Sequence, residues 1–304
     1  SQYDNSVSAD ADVFHDVVFP GGASVLTVDA NNVFADEELY VLTSNTYAPG
    51  GNFNTHDLEL ETSTSTLTLA ANTGKVQGSW DNNADFNSDT GTITFTATST
   101  TETIDSTGST DFNFYNITFG EATGTATWSL SSALVSSATT VIDFGTLSPG
   151  ANNINIAGNL TINGSGNFTA GTATTTFDGS GANTWTNAAT IDDLGTVAID
   201  GTSKTINLGS SVRATKLTVG TDDTIGLSSS GYTLTLTGSG EAGARPLTVN
   251  GTLAEGTNST VTFTGTATSQ IQVDTTSNTV AYWNLNLQPS AAGSPIYTLG
   301  TAAS

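Results

Sequence analysis

The sequence contains no cysteine and no methionine. Their absence removes a disulfide framework, a thiolate metal site and a cysteine nucleophile, and it leaves little for oxidants to damage. That composition suits an exposed extracellular protein. Basic residues are nearly missing too: 5 Lys and Arg stand against 28 Asp and Glu, a net charge of -23. Such a surface repels phosphate backbones and anionic lipid headgroups, so neither nucleic acid nor direct membrane insertion is expected. No run approaches the ~18 apolar residues of a membrane-spanning helix. Neither an initiator methionine nor a basic-then-apolar leader stands at Ser1, so the chain reads as a processed or excised piece, with secretion or cell-surface display as the expectation.

Thr, Ser, Gly and Asn fill the 304 residues instead, and good helix formers rarely cluster beyond "ADEELYVL" at 35–42. Thr and Val favour a pleated, half-buried surface, while Gly and Asn supply turns, which makes this an all-β composition. The strand signals are triplets reading apolar, polar, apolar: Leu160-Thr161-Ile162, Val197-Ala198-Ile199, Leu217-Thr218-Val219, Leu234-Thr235-Leu236, Val261-Thr262-Phe263. Alternation of period two sends both outer side chains of each triplet to one face. Successive triplets, separated by Gly, Asn, Ser or Asp, fit either a sandwich or a solenoid.

A longer similarity lies above the triplets. "TGTITFTATSTTETI" from Thr90, "TATTTFDGSGANTWT" from Thr172 and "NSTVTFTGTATSQIQV" from Asn258 align on Phe95, Phe177 and Phe263. Each is followed by a second matching piece ("FYNITF", "LGTVAI", "YWNLNL") and a third in which Trp128, Ile206 and Tyr297 correspond. This predicts repeats of ~80–90 residues over 90–170, 171–257 and an incomplete 258–304, within a β region from 56 to 304. Residues 1–55, richer in acidic and aromatic side chains, form an expected N-terminal cap or interaction segment.

Among local motifs, "DNNADFNSDTGT" places Asp81, Asn83, Asp85, Asn87 and Asp89 at every second position, the alternation of oxygen ligands that a calcium loop uses. Phe86 and Thr92 stand where an EF-hand needs Gly and Glu, so the competing interpretation is the polar side of an exposed strand. Calcium is the one cofactor considered; otherwise none is expected. Asn-x-Ser/Thr sequons at Asn116, Asn159, Asn163, Asn167, Asn250 and Asn258 permit glycosylation. Lys75, Lys204, Lys216, Arg213 and Arg245 are the only cations, and His15 and His56 lie far from any nucleophile motif, so an enzyme is not expected.

"AGNLTINGSGNFTAGTATTTFDGSG" and "PLTVNGTLAEGTNSTVTFTGT" resemble the Thr/Asn/Gly-rich repeats of bacterial surface proteins, the adhesin and autotransporter passenger domains, over residues 90–304. The resemblance implies a parallel β-helix or β-solenoid that is exported and structural or adhesive. The alternative is a β-sandwich or jelly roll whose subunits exchange a strand. In either, exposed edges at Val13, Phe14, Val17, Val18 and Phe19 and at Ile296, Tyr297 and Leu299 are candidate assembly surfaces. The expected function is a structural subunit or segment of an extracellular filament or surface fibre that pairs with copies of itself, with glycans or other cell-surface components as further partners. The alternative is a carbohydrate-binding or carbohydrate-cleaving β-helix of the tailspike kind.

Overall fold

The computed structural model describes residues 13–19, 24–28, 33–42, 45–108, 113–188, 191–241, 244–274, 279–289 and 295–300. It is a parallel β-solenoid of about 11 turns, divided into two compact units, Ser1–Ser148 and Pro149–Ser304. Every pairing between named strands is parallel, so the strand-exchanged sandwich, an antiparallel architecture, is not the fold. No helix among the described residues is long and apolar enough to cross a membrane.

In the first unit three columns of strands stack turn upon turn. One runs from Val33–Val41 through Phe53–Thr55, Thr73–Val76, Thr92–Phe95 and Asn116–Phe119 to the start of Thr140–Ser148. A second continues from the other half of Val33–Val41 through Asp57–Leu60, Trp80–Asn82, Thr101–Asp105 and Thr127–Leu130 to the end of Thr140–Ser148. The third holds Ser24–Val28, Asn45–Pro49, Thr66–Thr68 and Asp85–Asn87. The ladder crosses residue 55 without a break, and Val13–Phe19 pairs in parallel with Val33–Val41. Strands within residues 13–55 therefore pair into the same coil.

In the second unit one column joins Ile154–Ile156, Thr174–Phe177, Thr196–Ile199, Lys216–Val219 and Leu247–Val249. Another joins Leu160–Phe168, Ser180–Asn187, Thr202–Leu208, Thr224–Gly226, Thr252–Ala254 and Thr279–Val280. A third begins at Val212–Ala214 and passes through Thr233–Leu236 and Thr260–Phe263 to Asn284–Leu287, and Ser269–Gln272 pairs with Tyr297–Gly300 beside it.

Alternation along each strand decides what is buried. In Ile154–Ile156, Lys216–Val219 and Thr233–Leu236 the apolar side chains point inward and the Thr, Asn or Lys between them faces outward. Inside the first unit the core is aromatic. Trp80, fully buried, meets Phe86 edge-on at 5.0 Å and Phe114 at 5.1 Å, and Phe95 stacks on Phe119 at 5.4 Å with an interplanar angle of 10°. Gly74 sits between Phe53 and Ile93 in its column, and a Cβ there would lie 2.3 Å from the Phe53 ring. A glycine is the side chain that lets two large neighbours close over it.

The corners explain the Asn, Ser and Asp content. A coil turning between faces leaves backbone N–H groups outside the ladders, and each needs an acceptor. Thr73 N–H donates to Asn52 Oδ1 (2.8 Å), Thr174 N–H to Asn153 Oδ1 (3.0 Å), Thr184 N–H to Asn159 Oδ1 (2.9 Å), Asn187 N–H to Ser210 Oγ (2.7 Å) and Thr233 N–H to Ser211 Oγ (3.0 Å). Each clamp spans 21 to 25 residues, one turn of the coil.

The turn is the unit that stacks, and the ~80–90-residue similarity extends over more than one turn. Its first two pieces are register partners on successive turns: Phe95 with Phe119, Phe177 with Ile199, Phe263 with Leu287. The third piece opens the next strand around the coil. Phe177 and Phe263 nevertheless lie in different columns of the second unit, as do Ile206 and Tyr297. The same local pairing recurs on different faces.

Candidate functional site

Two places in the fold combine unusual exposure or charge with sequence features singled out above. The first is an acidic ladder on the first unit. Glu59, Asp81 and Asp105 are register partners on successive turns, and strands stack about 4.8 Å apart, so three carboxylates line one outward row. Burial pushes the Asp81 carboxyl up from its ordinary value, the charge of Asp105 adds to this, and the Asn83 amide, donating to Asp81 Oδ1 at 2.8 Å, opposes it.

Of the five calcium candidates, Asp81 alone stands in this row. Asp81 lies on Trp80–Asn82, whereas Asp85 and Asn87 lie on Asp85–Asn87 in another column, and Asn83 is at the corner between. Asn87 Oδ1 accepts from the Asp89 N–H at 3.2 Å, a turn contact, and Asp89 has a positive φ of 45°. Among the described residues no group of three or more His, Cys, Asp or Glu side chains gathers as a metal site.

The row yields a pH prediction. Because the folded chain binds the Asp81 proton more tightly than the unfolded chain, ionisation of Asp81 lowers stability as pH rises through and above the usual carboxylate range. Asp81→Asn is expected to raise the melting temperature at pH 7 and to have less effect near pH 4, close to the ordinary carboxylate value. Scanning calorimetry at both pH values checks this, and an unchanged or lowered melting temperature at pH 7 contradicts it. Repeating the scan with millimolar calcium tests the cation: a calcium-dependent rise that Asp81→Asn abolishes would make Asp81 a ligand.

The second place is the last described turn of the second unit. Asn284–Leu287 pairs on one side with Thr260–Phe263, and Tyr297–Gly300 with Ser269–Gln272, and no described strand lies on their other side. Leu285 and Leu287 are register partners of the buried Val261 and Phe263, yet they are 39% and 44% exposed. Trp283, Ile296 and Leu299 are 50%, 61% and 72% exposed. Val261, Phe263 and Ile271, the partners of Leu285, Leu287 and Leu299, are roofed by a further strand, whereas no described strand roofs Leu285, Leu287 or Leu299. Tyr297, half-buried, directs its hydroxyl to Phe263 O at 3.4 Å. At the other expected edge Val18 is 48% exposed, while the side chains of Val13, Phe14, Val17 and Phe19 lie outside the described set.

The remaining candidates are dispersed. Asn167, Asn250 and Asn258 are exposed sequon positions, whereas Asn116, Asn159 and Asn163 are half-buried, and Asn116 and Asn159 already serve as clamps. His56 is exposed, and its Nδ1 lies 3.1 Å from the carboxylate of its neighbour Asp57. Trp80, Trp128 and Trp185 are buried, which leaves Trp283 as the accessible indole. Two acidic pairs between strands, Asp192-Asp193 and Asp222-Asp223, carry a task that the sequence alone does not show. Asp192 Oδ2 accepts from Phe168 N–H (2.8 Å) and Asp223 Oδ1 from Lys204 N–H (2.7 Å), tying neighbouring turns. No family model, curated protein or solved structure matches the chain.

Proposed function

We propose that the protein is a structural subunit or segment of an extracellular filament or surface fibre, which grows when a second copy lays a strand turn on the open one. The observation that carries this reading is the group Trp283, Leu285, Leu287, Ile296 and Leu299, apolar and exposed on or beside Asn284–Leu287 and Tyr297–Gly300, strands whose outer edge no described strand pairs. An uncovered edge is a template, normally blunted by charge, proline or a cap. Neither "WNLNL" nor "IYTLG" carries a charge, although the chain as a whole has a net charge of -23, so approach of a second copy is least opposed at this turn. A head-to-tail contact between unlike edges generates a filament wherever its rotation does not close a ring.

Negative-stain microscopy and sedimentation velocity over a wide concentration range test the reading. Linear assemblies that lengthen with concentration are expected. Dispersed monomers at every concentration, with and without calcium, would remove it. Carbohydrate binding is kept as a second reading because Trp283 offers an exposed ring for stacking against a sugar face; selective signals on a glycan array, lost in Trp283→Ala, would favour it.

A further inference from the structure

We propose that Lys204 and Asn183 join in an intramolecular isopeptide bond, from the lysine Nζ to the asparagine Cγ, linking two successive turns of the second unit. The two residues lie on neighbouring paired strands, Ser180–Asn187 and Thr202–Leu208. Lys204 is fully buried, and its Nζ donates to Asn183 Oδ1 at 2.8 Å and to the Ala157 carbonyl. The side-chain amide carbon of Asn183 is bonded to that same oxygen, so amine and electrophile are already side by side. Both reactants are held: Asn183 Nδ2 donates to Asn159 Oδ1 at 3.4 Å, and the Lys204 backbone N–H is fixed by Asp223 Oδ1 at 2.7 Å.

The surroundings favour the reactive protonation state. Both acceptors of Nζ are amide oxygens, and a buried ammonium against uncharged acceptors is costly. Burial pushes Lys204 down from the usual lysine value, only partly offset by the charges of Asp178 and Asp223, and burial pushes the nearby Asp178 carboxyl up. A lysine shifted towards its neutral amine and a carboxyl shifted towards its protonated form both favour aminolysis of an amide.

The step balances without any external reagent. The Nζ lone pair adds to Cγ and the carbonyl electrons move to Oδ1. The tetrahedral intermediate then re-forms the carbonyl by breaking the Cγ–Nδ2 bond. One proton passes from Nζ to Nδ2, and ammonia leaves; the Asp178 carboxyl, whose charge acts on Lys204, is the proposed relay. One C–N bond is made and one is broken, and nothing is oxidised or reduced. Asn183 is only half-buried, which gives ammonia a way out.

The test uses the full folded chain, purified, denatured and digested with trypsin together with a protease that cuts before aspartate, because no Lys or Arg lies between Asn183 and Lys204 whereas Asp192, Asp193 and Asp200 do. An intact mass short by one ammonia is expected, with no cleavage after Lys204 and a branched peptide carrying both residues. The branched peptide is decisive, because succinimide formation at Asn163-Gly164 or Asn250-Gly251 also releases ammonia. Lys204→Arg and Asn183→Ala should each lose the branch, and Asp178→Ala should slow its appearance in freshly folded protein. Complete cleavage after Lys204, together with an unmodified Asn183 peptide from the wild-type chain, overturns the proposal whether or not the variants fold.

Discussion

Trp80→Ala is expected to destabilise the first unit by about 3–5 kcal/mol, the usual cost of emptying a large buried aromatic site. Trp80 is fully buried, its ring is within 6.3 Å of Phe86, Phe95 and Phe114, and its Nε1 donates to Ser106 Oγ at 3.3 Å. Truncation leaves a cavity bordered by rings from the same and the next turn, and strands hydrogen-bonded on both sides cannot collapse to fill it. Urea unfolding followed by near-ultraviolet circular dichroism measures the loss. A change below about 1 kcal/mol, the range of ordinary surface substitutions, would mean the aromatic cluster is not what holds these turns together.

The paired substitution Leu285→Lys with Leu299→Lys is expected to abolish self-association and leave the melting temperature of dilute protein nearly unchanged. Burying one leucine contributes about 1.5–3 kcal/mol. Losing two, and burying unpaired charge in their place, weakens a strand-on-strand contact by at least roughly 100-fold at 1.4 kcal/mol per tenfold. Both side chains are already exposed, so the folded monomer loses little. Sedimentation velocity of variant and wild type side by side reads the difference. Association unaffected by both lysines would place any assembly contact elsewhere.

The strands were legible because their signal is local. Leu217-Thr218-Val219 and Leu234-Thr235-Leu236 alternate in sequence and alternate in burial, since neighbouring side chains of a strand must point to opposite faces. The length of a turn was less legible. Register partners fall 19 residues apart at Gly74 and Ile93 but 30 apart at Leu217 and Leu247, so no fixed period marks the coil, and the eye settles on the recurring pairing motif instead. The candidate sites follow the same division. The exposed apolar character of Ile296 and Leu299 could be anticipated from the lack of charge around them. The environment of Lys204 could not: its partners Asn183 and Ala157 lie 21 and 47 residues back, and only the turn lengths between them bring them together.

The parallel ladder also bears on how the chain comes to be folded. Each strand pairs with the one laid down a single turn earlier, as Thr92–Phe95 does with Thr73–Val76 and Thr196–Ile199 with Thr174–Phe177. A parallel sheet usually forms slowly, because distant segments must meet before any contact rewards the closure. Here the closing distance stays short throughout, and a growing polypeptide can add turns in the order in which they emerge, each guided by the finished one beneath it. The coil is therefore suited to vectorial folding, in which the nascent chain is stabilised well before synthesis is complete.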